Sequence, residues 1–151
     1  MRIAVFPGSF DPITRGHESI VRRALPLFDE IIIGIGNNTS KHYYFSEERR
    51  EHFIKNVFAG ESKIKVMQYS GLTINFCREV NAGYILRGLR TSADYEFERA
   101  IAQMNQNMSP GIETVFLVSD PSLSHISSTI VRDILLYNGD ISAFVPDAVK
   151  I

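Results

Sequence analysis

Arg2-Ile3-Ala4-Val5-Phe6-Pro7-Gly8-Ser9-Phe10-Asp11-Pro12-Ile13-Thr14-Arg15-Gly16-His17 carries a short apolar run, a glycine-containing turn and the start of a helix. The run Arg2–Phe6 is nearly continuous in apolar character, which suits a strand covered on both faces of a parallel sheet. Gly8 permits close backbone approach, and Ser9 offers a hydroxyl. A helix starting beyond Gly16 presents free amides to an anion, with His17 beside them as a donor to a phosphate oxygen. Taken alone, the same residues could be a tight turn with a capping histidine.

The alternation repeats along the rest of the chain. Further strand candidates are Glu30–Ile35, Lys63–Gln68, Tyr84–Leu86 and Thr114–Val118. Between them lie helical periods. His17–Phe28 aligns Ile20, Val21, Ala24 and Phe28, with Pro26 expected to kink or end it. Ser46 reads as an N-cap before Glu47 and Glu48, opening a helix that buries Phe53, Ile54 and Val57. Thr73–Val80 is a shorter candidate. Ser92 is expected to cap a long helix with the apolar stripe Phe97, Ile101, Met104 and Met108. The last major helix starts near Ser127–Ser128, carries Ile130, Val131, Ile134 and Leu135, and ends near Asn138-Gly139. A short terminal helix is expected after Gly139. Repeated βαβ units with no linker-like break predict one α/β domain over residues 1–151, a Rossmann-like doubly wound sheet of five parallel strands. Ligands of such sheets bind beyond the carboxyl ends of the strands.

Bulk properties narrow the function classes. With 151 residues, 44% hydrophobic and 22% charged, the chain reads as globular rather than disordered. A formal net charge of -1 supplies no global basic field for nucleic acid. Cys77 is the single cysteine, so no internal disulfide forms and a reducing compartment is expected. No targeting signal or membrane-length apolar run is present. The expectation is a cytoplasmic protein without nucleic-acid or membrane partners.

Three more segments at strand ends carry chemistry. The loop Gly36–Phe45 is long for a compact α/β domain and holds Lys41, a flexible charge suited to phosphate. Arg87-Gly88-Leu89-Arg90 places two guanidinium forks where the fourth strand ends. Ser127-Ser128-Thr129 sets three hydroxyls at a helix start, as an anion cradle or as a redundant cap. No Gly-Lys-Ser/Thr ending makes a P-loop, and Gly34-Ile35-Gly36 lacks the third glycine of a dinucleotide fingerprint.

Thr14-Arg15-Gly16-His17 resembles the His/Thr-x-Gly-His tetrad of the nucleotidyltransferase superfamily, and Ile-Ser-Ser-Thr-x-x-Arg at Ile126–Arg132 resembles its triphosphate motif. With Arg87-Gly-Leu-Arg90 and Ala93-Asp94-Tyr95-Glu96, nearly the entire chain is similar to the bacterial phosphopantetheine adenylyltransferase family. The resemblance implies adenylyl transfer from ATP to 4′-phosphopantetheine; Mg²⁺ is expected to be bound through the ATP phosphates, and no protein ligand for it is assigned. It implies that Ser9 and Phe10 meet the phosphates of both substrates and that His17, Lys41 and Arg90 stabilise the transition state. Lys41, Thr73 and Arg87 would hold the acceptor. Gly88, Leu89, Arg90 and Glu98, with Leu123, Ser124, His125, Ile126, Ser127, Ser128 and Thr129, would hold ATP. A homohexamer and feedback binding of coenzyme A are further implications. Relatives differ at Gly71, Thr73 and His125; a methionine can stand at the position of Thr73, which implies contact there through backbone. Transfer to another phosphorylated acceptor and a non-catalytic nucleotide-binding module are the alternatives.

Overall fold

The computed structural model describes residues 1–151. Five strands, β1 (Ile3–Gly8), β2 (Glu30–Asn37), β3 (Ile64–Ser70), β4 (Tyr84–Leu89) and β5 (Glu113–Val118), form one sheet in the order β3-β2-β1-β4-β5. Every pairing is parallel. The chain steps outward from β1 to β3, then returns to β4 on the other side of β1. The β1–β4 boundary is therefore the switch in strand order, where such sheets leave a crevice.

Four helices connect the strands, α1 (Arg15–Ala24), α2 (Glu47–Val57), α3 (Thr73–Glu79) and α4 (Ser92–Met108), and a fifth, α5 (Ser128–Leu136), follows the last strand. On one face of the sheet Ala4, Phe6, Ile31, Ile33 and Leu86 pack with Val21, Ile54 and Val131. On the other, Val5, Ile32 and Ile85 pack with Ile74, Phe76 and Cys77 of α3. Burial pushes the Cys77 thiol up to about 11, so it remains protonated.

Several elements depart from the sequence expectation. Helix α1 ends at Ala24, and Pro26 sits inside a 3-10 turn over Leu25–Leu27, so of the kink or end expected at the proline the structure has the end, before the expected limit at Phe28. Thr91, not Ser92, caps α4 by accepting from the Asp94 N–H. No residue of α4 is buried: Phe97 is 68% and Met104 65% exposed, so the expected apolar stripe faces outward. The tail after Gly139 forms turns rather than a helix. Ile141, Val145 and Val149 still enter the core, with Pro146 limiting regular structure as its ring must. No helix is long and apolar enough to cross a membrane.

Candidate active site

Two adjoining cavities open at the carboxyl ends of the strands. The first, about 330 Å³, is bordered by Ser9, Lys41, Thr73 and Arg87. The second, about 280 Å³, is bordered by His17, Gly88, Arg90 and Ser127–Thr129. Pro7, Gly8, Arg87 and Glu98 line both, so the cavities share a wall at the β1–β4 boundary. The expected acceptor set and most of the expected nucleotide set thus fall into two separate compartments that meet.

His17 is built into a reciprocal cap. Thr14 Oγ1 accepts from the His17 N–H at 3.3 Å, and the Thr14 N–H donates to His17 Nδ1 at 3.0 Å. A nitrogen that accepts a main-chain N–H carries no proton, so neutral His17 holds its proton on Nε2. The ring is fixed by edge contacts to Phe10 and Phe6, with centroids 5.0 and 6.2 Å away. Burial, then the nearby Arg87 and Arg90 charges, lowers its pKa to about 4. At neutral pH His17 is therefore a fixed, uncharged Nε2–H donor.

This has a pH consequence. A free histidine takes up its proton near 6.5, whereas folded His17 resists protonation until about pH 4. Between those values the unfolded chain binds the extra proton, so the stability linked to His17 is whole above pH 6.5 and is lost toward pH 4. Nitrogen NMR of the imidazole is expected to show the Nε2–H tautomer unchanged from pH 8 to 5.5, and ATP phosphates should raise its pKa. A free-protein titration midpoint near 6.5 would contradict the buried cap.

Phe10 adopts a left-handed φ of 49° and buries its ring against Gly8, where an added Cβ would come within 3.0 Å of it. Its side chain belongs to the core beneath His17, not to either cavity. That differs from the direct phosphate contact expected from the sequence; its backbone remains beside Ser9.

The two arginines are held differently. Arg87 forms a two-pronged pair with Glu98 (2.9 and 2.6 Å) and donates to the Pro7 carbonyl at 2.7 Å. Three of its five N–H groups are committed, leaving two for a ligand at the shared wall. Glu98 therefore aims Arg87 rather than standing free. Arg90 donates to Asp94 and to the Ile126 carbonyl, tying the end of β4 to the approach of α5.

At α5, the Ser127 hydroxyl accepts from the Ile130 N–H, and Ser128 Oγ donates to the Pro12 carbonyl at 2.9 Å. The hydroxyls are thus largely engaged in holding the helix start. Ser128 and Thr129 N–H are the unpaired first-turn amides, available to an anion. Ile126 joins this wall, but Leu123, Ser124 and His125 line neither cavity. Ser124 Oγ instead donates to the Pro121 carbonyl, and His125 is exposed beside Phe144. Leu89, half-buried at the end of β4, also lines neither, unlike its neighbours Gly88 and Arg90.

Lys41 stands exposed at the mouth of the first cavity, its Nζ 6.0 Å from the Tyr43 ring centroid. Thr73 borders that cavity too, with its Oγ1 hydrogen-bonded to the Tyr69 hydroxyl at 2.8 Å. Asn37 and Tyr43, from the loop already singled out, also border it, as do Tyr69 and Asn105, which no motif had marked. The sequence reading missed two buried ions, Asp11 and Arg50. Asp11 lay inside the stretch already singled out, but nothing local signals that its carboxylate folds inward.

No group of three or more His, Cys, Asp or Glu side chains is placed to hold a metal. The two carboxylates bordering the second cavity, Asp94 and Glu98, are tied to arginines. Magnesium fits this donor set as an ion held chiefly by nucleotide phosphates.

A cap-held histidine, two arginines and a helix N-terminus thus converge at the switch point of the sheet. Residues 5–134 match the cytidylyltransferase-like family. The fold is also similar to a bifunctional NMN adenylyltransferase/ADP ribose pyrophosphatase from Francisella tularensis, with a TM-score of 0.73 at 16% identity, covering 95% of this chain and 44% of that one. Curated relatives are much closer in sequence. Phosphopantetheine adenylyltransferase of Christiangramia forsetii is 56% identical over 99% of each chain. That of Flavobacterium psychrophilum is 54% identical over 100% of this chain and 99% of its own. The Bacteroides thetaiotaomicron protein of the same name is 52% identical with the same coverage. The chain belongs to the phosphopantetheine adenylyltransferase family.

Proposed function

We propose that the protein transfers the adenylyl group of ATP to 4′-phosphopantetheine, releasing pyrophosphate and forming dephospho-coenzyme A. The observation that carries this reading is the shared wall: an acceptor-sized cavity with Lys41 and Arg87 meets a nucleotide cavity with His17 and Arg90. A phosphate on one side of Arg87 lies next to a triphosphate on the other. An oxygen of the acceptor phosphate attacks the α-phosphorus in line, a P–O bond forms, and the bond to the β-phosphate oxygen breaks. The nucleophile is already ionised at neutral pH, so no general base is needed. Catalysis is positioning plus charge stabilisation. Lys41 and Arg87 align the acceptor phosphate, neutral His17 donates from Nε2 to the reacting phosphoryl oxygens, and Arg90 with the Ser128 and Thr129 amides holds the triphosphate. Magnesium, arriving on ATP, supplies further charge neutralisation.

Incubation with ATP, Mg²⁺ and 4′-phosphopantetheine is expected to yield dephospho-coenzyme A by mass. Product only from another phosphorylated acceptor would replace the substrate assignment. ATP binding without product from any acceptor would replace the enzyme assignment.

The same reading places the protein in the cytoplasm and has coenzyme A compete at the joined cavities. It also has the chain act as a homohexamer, and the exposed apolar face of α4 supports self-association. Light scattering is expected to give a multiple of the 17.1 kDa chain mass, and Met104→Glu to shift it toward the single chain. A monomeric parent would overturn the assembly.

A further inference from the structure

Arg50, on α2, has a 1% exposed side chain and forms no ion pair with any carboxylate. Its guanidinium donates to three oxygens: the Ser9 carbonyl at 2.9 Å, Asn37 Oδ1 at 3.1 Å and the Phe45 carbonyl at 3.2 Å. Its central carbon lies 4.0 Å from the centroid of the Tyr43 ring. The fork therefore clasps the turn after β1 and both ends of the loop after β2. Those segments supply Ser9 and Lys41 to the first cavity. A second tie runs alongside it, because the Asp11 carboxylate accepts from the Tyr44 and Phe45 N–H groups at 2.7 and 2.9 Å. The Phe45 residue is thus gripped from both sides, through its N–H by Asp11 and through its carbonyl by Arg50.

Burying a guanidinium is costly, and a well-packed apolar side chain would serve stability as well. Its donors reach outward into the cavity-forming loops rather than into the core. We propose that Arg50 is a positioning residue for acceptor capture: it fixes the Lys41 loop against the Ser9 turn so that Lys41 meets the acceptor phosphate. Tyr43 extends the same clasp, its hydroxyl donating to the Gly36 carbonyl and accepting from the Asn38 N–H. The inference rests on the acceptor reading of the first cavity.

A double-mutant cycle tests it, with 4′-phosphopantetheine and ATP titrated separately by calorimetry. Arg50→Lys keeps the charge and removes the fork. It is expected to weaken acceptor binding roughly ten- to a hundredfold, the scale of a small misplacement, while ATP affinity stays within about twofold, since Arg50 touches no residue confined to the second cavity. Lys41→Ala should weaken acceptor binding by itself. In that background Arg50→Lys should add little, because residues acting through one another are non-additive. If the two losses multiply, or if Arg50→Lys weakens ATP and acceptor alike, Arg50 is structural only and the proposal fails. If Lys41→Ala leaves acceptor affinity unchanged, the acceptor reading itself fails and takes the proposal with it. Should Arg50→Lys not fold, Asn37→Ala removes one arm of the clasp and enters the same cycle, with the same outcomes deciding.

Discussion

Replacing His17 by alanine is expected to lower turnover about 10²–10³-fold, the loss found when a single transition-state donor is removed. The geometry explains why the effect should fall on turnover more than on ATP binding. Nδ1 is consumed by the Thr14 N–H, so only Nε2–H remains for the substrate. Arg90 and the first amides of α5 still hold the triphosphate in the variant. A neutral donor gains most where negative charge grows during attack, and its contribution to the ground state is smaller. Because the side chain also closes the cap of α1, folding must be checked by circular dichroism beside the kinetics. Rapid-quench turnover of a folded variant within about fivefold of the parent would remove His17 from the mechanism, given the size of effect that such donors carry. His17→Gln, which can place an amide N–H in the same direction, is expected to recover part of the loss.

The fold was legible because its buried strands announce themselves. Ile31, Ile32 and Ile33 in β2 can face a covered sheet on either side, and the periodic residues of α1 and α2 supply the cover. The strands run further than the apolar runs, however. β1 continues through Pro7-Gly8, β2 through Gly36-Asn37 and β4 through Arg87-Gly88-Leu89. Their carboxyl ends are occupied by residues chosen for the cavities, so the hydropathy pattern stops before the hydrogen-bonded ladder does. The stripe on α4 was legible as a helical period, but periodicity reports that one face is apolar, not what covers it. His17, Lys41, Arg87 and Arg90 stood out because each falls where an apolar run stops, and the structure brings all four to the two joined cavities. Arg50 did not stand out, because an arginine on a helix with two preceding glutamates reads as a solvated face, and its inward course is set by loops distant in sequence. Asp11 escaped for the same reason.

Asp11→Ala is expected to be the most destabilising of these single changes. The carboxylate is 2% exposed and accepts two main-chain N–H groups, from Tyr44 and Phe45. Alanine leaves both donors without a partner, and Phe45 is itself only 3% exposed, so water has little access to its amide. An orphaned buried donor costs about 1–3 kcal/mol; Phe45 carries most of that and the more open Tyr44 N–H less, so the pair should cost about 3 kcal/mol. For a domain of this size each kcal/mol moves Tm by about 2–4 °C, so the loss should approach 10 °C. Asp11→Asn retains a carbonyl oxygen for one N–H and is expected to lose about half as much. Thermal unfolding followed by circular dichroism at fixed protein concentration separates the three proteins. A Tm for Asp11→Ala within about 3 °C of the parent would mean that the loop finds other partners and that the carboxylate is no anchor. The direction also matters for function: a loop freed at Tyr44 and Phe45 leaves Lys41 less fixed, so acceptor affinity should fall with stability while the His17 cap, formed by Thr14, stays closed.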